Sequence, residues 1–119
     1  MESMLRQDGT SAAPGQDERL LLAMDYIHAH LGEPISVGDI ARAAGVATPR
    51  FSRLFKTAAG VAPRRYLTEA RFARAKELIR NSAKNLTQIA AESGFTDQSH
   101  MNHIFRRRVG MTPKAFRRS

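Results

Sequence analysis

The chain repeats itself, and no other feature of its sequence restricts the fold as much. Ile40, Ala41 and Gly45 return forty-nine residues later as Ile89, Ala90 and Gly94. Phe55, Lys56, Gly60, Pro63 and Tyr66 return fifty residues later as Phe105, Arg106, Gly110, Pro113 and Phe116. The offset grows by one within the turn Phe95-Thr96-Asp97. A turn is where a repeated unit of secondary structure absorbs an extra residue at least cost. Each unit reads as a short helix, a glycine-bearing turn and a second helix. The glycine stands where the first helix must stop and the chain must bend sharply. That is the pattern of a helix-turn-helix, here in two copies.

The rest of the chain is helical in period, with no convincing two-residue alternation. Residues 1–16 are small and polar and carry Gly9, Pro14 and Gly15, so they read as a flexible tail. A first helix is expected from near Asp17, with Leu20, Leu21, Met24, Ile27, His28 and Leu31 as its apolar stripe. Ser36 is expected to cap the second helix on the N–H of Asp39, with Asp39 too short for the return bond of a full capping box. Thr48 is expected to cap the third, with Pro49 at its first position. Ala62-Pro63 opens a segment without Gly or Pro as far as Ser82. Asn85, then Asp97 or Thr96, then Thr112 cap three shorter helices. The expected architecture is all-α, about seven helices: a first unit over 17–61, a linker helix over 62–82 and a second unit over 83–119.

Composition narrows the chemistry. With 119 residues the chain is about one domain long, too small for a deep cleft between two domains. It contains no cysteine, which removes disulfides, thiolate metal sites and cysteine nucleophiles. No apolar run approaches the ~18 residues of a membrane span, and Glu2 and Asp8 with no long apolar run argue against a secretory signal. The chain reads as cytosolic. His28 and His30 point to different sides of a helix, and His100 and His103 share a face with no third ligand, so neither pair reads as a metal site or an enzyme. No cofactor is expected. The formal net charge is +8 and is unevenly spread. Residues 1–39 hold seven acidic and two basic residues, whereas residues 40–119 hold four acidic and seventeen basic ones. Such a field suits a polyanion, nucleic acid above all.

The stretch AAESGFTDQSHMNHIFRRRVGMTPKAFRR resembles the C-terminal signature of AraC/XylS-type transcription regulators. Gly94-Phe95, Ser99-His100, Phe105-Arg106, Gly110, Thr112-Pro113 and Phe116-Arg117 carry the likeness. DIARAAGV and FSRLFK match in the first unit, and RYLTEARFARAKELI resembles the family's long central helix. The resemblance spans about residues 17–118. It implies a sequence-specific regulator, an activator, placing two recognition helices in adjacent major grooves of promoter DNA as a monomer, with RNA polymerase as a further partner. The work would be cytoplasmic, at the nucleoid. A linker of ~20 residues spans about 30 Å, close to the ~34 Å between successive major grooves on one DNA face. Most family members carry a further effector-binding or dimerising domain. This chain is therefore a stand-alone regulator or a C-terminal fragment, and Met1 favours the former.

In the first unit Phe51, Leu54 and Phe55 are expected inward, leaving Pro49, Arg50, Ser52, Arg53 and Lys56 outward. The resemblance puts Pro49, Ser52 and Arg53 at base-reading positions, and a guanidinium can bond guanine O6 and N7 together. In the second unit Met101, Ile104 and Phe105 are expected inward. Gln98, Ser99, His100, Asn102 and His103 are the candidate readers, Gln98 and Asn102 having the amide fork that suits adenine. Phosphate contacts are expected from Thr48, Lys56, Thr87, Thr96, Arg106, Arg107, Thr112 and Lys114, near helix N-termini or beside them.

Two other readings remain at this stage. A non-specific architectural or RNA-binding protein would use the charge alone. A protein-docking domain would use the acidic first helix, with Asp17, Glu18 and Asp25, against RNA polymerase or another protein. The family often carries Arg where this chain has His103, and Phe where it has Met101. A free imidazole titrates near pH 6.5. DNA binding is therefore expected to tighten from pH 8 to 5.5, and His103→Ala to flatten that dependence; titrations of both proteins check it.

Overall fold

The computed structural model describes residues 15–119; residues 1–14, most of the expected tail, lie outside the described residues. Among the described residues there are seven helices and no strand. They are α1 (Gln16–Ala29), α2 (Val37–Ala44), α3 (Thr48–Ala59), α4 (Pro63–Asn81), α5 (Leu86–Glu92), α6 (Gln98–Val109) and α7 (Pro113–Arg118). The molecule is elongated, 56 × 30 × 21 Å. The all-α architecture of two helix-turn-helix units on one long helix is as expected.

The elongation follows from two separate cores. Ala23, Ile27, Leu31, Ile40, Ala41, Ala44, Phe51, Phe55 and Leu67 make the first. Phe72, Ala75, Ile79, Ile89, Ala90, Met101, Phe105 and Phe116 make the second. Helix α4 serves both: Leu67 enters the first core, and Phe72, Ala75 and Ile79 enter the second. Two residues of the expected stripe, Leu21 and His28, are misplaced, and the exposed His28 sets its Nε2 3.0 Å from the Tyr66 hydroxyl. Leu21 is 59% exposed, and Ala23 takes the buried place on α1 instead. Residues 20, 24, 27 and 31 already fill the inward stripe, and Leu21 lies about 100° away from Leu20 around the helix.

Most helix starts behave as read. Ser36, Asn85, Asp97 and Thr112 accept from the backbone N–H of Asp39, Gln88, His100 and Ala115. The Asp39 carboxylate does reach back to the Ser36 N–H at 2.9 Å, so the capping box is complete despite the short side chain. The Ser36 backbone N–H, then its hydroxyl, holds the Asp39 carboxyl below the usual carboxylate range. The exception is α3. Ala47, not Thr48, is its N-cap, Thr48 is already helical, and no side chain caps this end. Pro49 is tolerated in the first turn because its missing N–H would have no partner there. The fifty-residue register pairs Ala47 with Asp97, so the first unit lacks the capping oxygen that the second has.

The two units meet at one small patch, where Gly32 packs against the Ala91 and Glu92 carbonyls and Arg71 binds the neighbouring backbone. Arg71 on α4 donates from Nε to the Leu31 carbonyl at 3.1 Å and from Nη2 to the Glu33 carbonyl at 2.7 Å. Gly94 of the second unit packs on the same spot with φ +84°, and a Cβ there would overlap both the Leu31 oxygen and the Arg71 side chain. Burial, and then the positive charge of Arg64, lower the pKa of the Arg71 guanidinium. It stays charged nonetheless, as arginine does in proteins. Two further arginines tie helix ends inside the units. Arg19 bonds the Ala44 and Gly45 carbonyls, and Arg117 bonds those of Ile79 and Ser82.

Two expectations for stability follow. Ala47→Ser raises it by about 1 kcal/mol by supplying the missing cap, read as a melting temperature roughly 4–8 °C higher. Gly94→Ala lowers it by at least about 1–2 kcal/mol through the left-handed backbone alone. Thermal unfolding followed by circular dichroism checks both.

Candidate nucleic-acid interface

Helices α3 and α6 present the same surface. Residue by residue, 51–60 and 101–110 have the same sequence of buried, half-buried and exposed positions. Phe51 and Phe55 are buried in one, Met101 and Phe105 in the other. The physical cause is that each helix drops an i, i+4 aromatic or methionine pair into its own small core. Leu54 and Ile104, read as inward, are half-buried at the edge. The tight turn at Gly45 precedes α3, and the longer turn Gly94-Asp97 precedes α6, and the one extra residue leaves the exposure pattern of the second helix unchanged.

On α3, Pro49, Arg50 and Arg53 are exposed, and Ser52 is half-buried. Neither Arg50 nor Arg53 has an ion-pair partner among the described residues. On α6, Ser99, His100 and His103 are exposed. Three of the second unit's candidates are already engaged or turned away. The Thr87 hydroxyl donates to Gln98 Oε1 at 2.9 Å, so Gln98 offers chiefly its NH2 group. The Thr96 N–H donates to His100 Nδ1 at 3.4 Å, and the His100 ring stands edge-on to Phe95 with centroids 5.4 Å apart. That bond leaves Nε2 of His100 as the outward N–H. The Asn102 Oδ1 is buried without a partner, so Asn102 does not present an open amide fork as expected. It sits on the half-buried flank of α6 that Ser52 occupies on α3.

The phosphate candidates also separate by exposure. Thr48, Lys56, Thr87, Thr96, Arg106, Arg107 and Lys114 are exposed. Thr112 is half-buried with its oxygen serving as the cap of α7. Arg108, the third of the arginine run, is held instead by Glu69 on α4 and by the face of Phe72, 4.7 Å from the ring centre. Sequence reasoning missed Arg64 and Arg65, both exposed in the first turn of α4. The repeat held the signal, because Arg64 falls at the register position of Lys114, which was included. Among the described residues no group of three or more His, Cys, Asp or Glu side chains could hold a metal ion, and no helix is long and apolar enough to cross a membrane.

Two helices with the same exposure pattern, each the second of a helix-turn-helix and joined through one shared helix, define a two-headed helix-turn-helix domain. Residues 40–119 match the family model described as a helix-turn-helix domain. A solved AraC-type DNA-binding-domain regulator from Chromobacterium violaceum superposes with a TM-score of 0.76 at 32% identity, over 86% of this chain and 91% of that one. The DNA-binding domain of AdpA, solved with a target DNA, superposes with a TM-score of 0.78 at 28% identity, over 85% of this chain and 91% of that one. The probable transcriptional regulator LumQ of Photobacterium leiognathi is 37% identical over 97 residues, 82% of this chain and 39% of LumQ. The chain belongs to the AraC-type helix-turn-helix family. It spans about two-fifths of the length of that curated relative.

Proposed function

We propose that this chain is the sequence-specific, double-stranded-DNA-binding part of a transcription regulator. A single copy would lay α3 and α6 into adjacent major-groove segments. The observation that carries this reading is the matched exposure of the two helices, with aromatic or methionine anchors inward and polar or cationic groups outward in the same register. Helix α4, 19 residues long, spans about 28 Å, which suits the pitch of the duplex. The DNA complex of the similar AdpA domain supports the ligand class.

Within this reading Arg53 and Arg50 read bases through α3, with Pro49 and Ser52 in close contact. Ser99, His100, His103 and the NH2 group of Gln98 read through α6. The exposed Lys56, Arg106, Arg107, Thr48, Thr96, Thr87 and Lys114, with Thr112, hold phosphates. The acidic face of α1, with Asp17, Glu18 and Asp25 beside the exposed Leu21 and Leu22, is left for RNA polymerase in the cytoplasm. A purely architectural role fits the charge but gives no reason for two duplicated helices with the same exposure pattern.

Selection of bound duplexes from a random ~30-base-pair library near physiological salt tests the proposal. The expected result is two enriched blocks about one helical turn apart. No enrichment, with binding that only falls with salt, would overturn it. On the selected site Arg53→Ala is expected to cost about 1–3 kcal/mol and relax one position, while Lys56→Ala weakens all sequences and lowers the salt slope by about one. Titrations against specific and random duplexes separate the two. A promoter reporter carrying the site rises with the protein if the regulator activates and falls if it represses.

A further inference from the structure

Helices α4 and α6 enclose a cleft of about 560 Å³ lined by Arg64, Arg65, Thr68, Glu69, Ile104, Arg107 and Arg108. Four arginines face one carboxylate. Glu69 is already shared by Arg65, at 3.8 Å, and by Arg108. Among the described residues no carboxylate pairs with Arg64 or Arg107, and both are exposed. The cleft therefore keeps an excess of positive charge over an apolar floor made by Ile104.

Its position matters as much as its charge. Ser99, His103 and Arg107 are spaced four apart and form one stripe along α6. Arg107 thus continues the row of reading residues into the cleft. On the other side, Arg64 and Arg65 follow the end of α3 by only a short turn through Gly60–Ala62. The cleft thus takes its lining from the start of α4, which follows α3, and from the C-terminal part of α6.

The geometry points to a third point of attachment: the cleft grips the sugar–phosphate backbone of the DNA segment that passes between the two major-groove sites, with Arg64 and Arg65 as residues of that site. The inference rests on the DNA-binding reading above. An exposed guanidinium pair facing a polyanion displaces condensed counterions, so each contact adds to the salt dependence of binding. Arg108, tied to Glu69 and Phe72, stiffens the wall and makes no such contact.

The test uses the selected duplex in two forms, one normal and one with uncharged methylphosphonates only in the segment between the two enriched blocks. The wild-type chain is expected to bind the neutralised duplex at least tenfold more weakly. The Arg64→Ala/Arg65→Ala variant, which keeps Arg107, is expected to lose most of that difference and about two units of salt slope, with its enriched motif unchanged. Circular dichroism checks that the variant keeps the wild-type melt, as expected when an exposed ion pair is removed. A variant that distinguishes the two duplexes as strongly as the wild type, or keeps the wild-type slope, would overturn the inference. So would a wild-type chain indifferent to the neutralised phosphates, which would leave the cleft to an acidic protein segment. Failure of the library to yield any motif would instead sink the DNA-binding reading on which this one rests.

Discussion

The halves of this molecule join at one patch, where Arg71 and the close-packed glycines Gly32 and Gly94 bring their backbones together. The two cores meet only along α4, and a single helix between two small bodies would leave them free to swing. Arg71 prevents that by taking two carbonyls of the segment that follows α1, at 3.1 and 2.7 Å. Gly94 lets the second unit close on the same point. A bond from a charged donor to a carbonyl is worth more than a neutral one, about 1.5–3 kcal/mol. Partial burial strengthens it further by removing competing water. This contact, with the close approach of Gly32 to the Glu92 carbonyl, adds to α4 in holding α3 and α6 in one arrangement.

The same device recurs at smaller scale. Arg19 closes the end of α2 and Arg117 the end of α4, each with carbonyls that a helix terminus leaves without partners. A 119-residue chain split into two cores has few buried side chains in each. Capping carbonyls with charged forks, and N–H groups with Ser36, Asn85, Asp97 and Thr112, offsets part of what those small cores cannot supply. Some of the chain's basic residues therefore hold the fold together. The net charge overstates the number available to a polyanion.

Much of this was legible in the sequence, because the repeat constrains what periodicity alone leaves open. The helices, their glycine stops and the inward pairs Phe51–Phe55 and Met101–Phe105 follow from spacing. What escaped depended on contacts distant in sequence or on one residue of register. The cap of α3 falls at Ala47 and not Thr48, and the first turn tolerates proline at its second position because the N–H groups there lack intrahelical partners. Leu21 was misjudged because an apolar residue beside a stripe looks like part of it until the width of the partner is known. Asn102 looked outward by type, yet its position lies on a flank. The Arg71 bridge spans 40 residues of sequence and uses a side chain that reads as an ordinary helix charge. The roles of the reading residues depend on the edges of bases, which no property of this chain alone displays.

The two reading helices differ in how much freedom they retain. On α6, Gln98 is held by Thr87, and His100 by Phe95 and the Thr96 N–H. On α3, Arg50 and Arg53 have no ion-pair partner among the described residues. Fixing a long arginine side chain sacrifices about 1.5–2 kcal/mol of rotamer entropy. Gln98 and His100 have already given up part of their freedom in the folded chain, whereas Arg50 and Arg53 give theirs up on contact. A matched pair of heads thus combines a stiff probe with a pliant one: the stiff probe penalises a misfit at once, and the pliant one tolerates variation in what it meets.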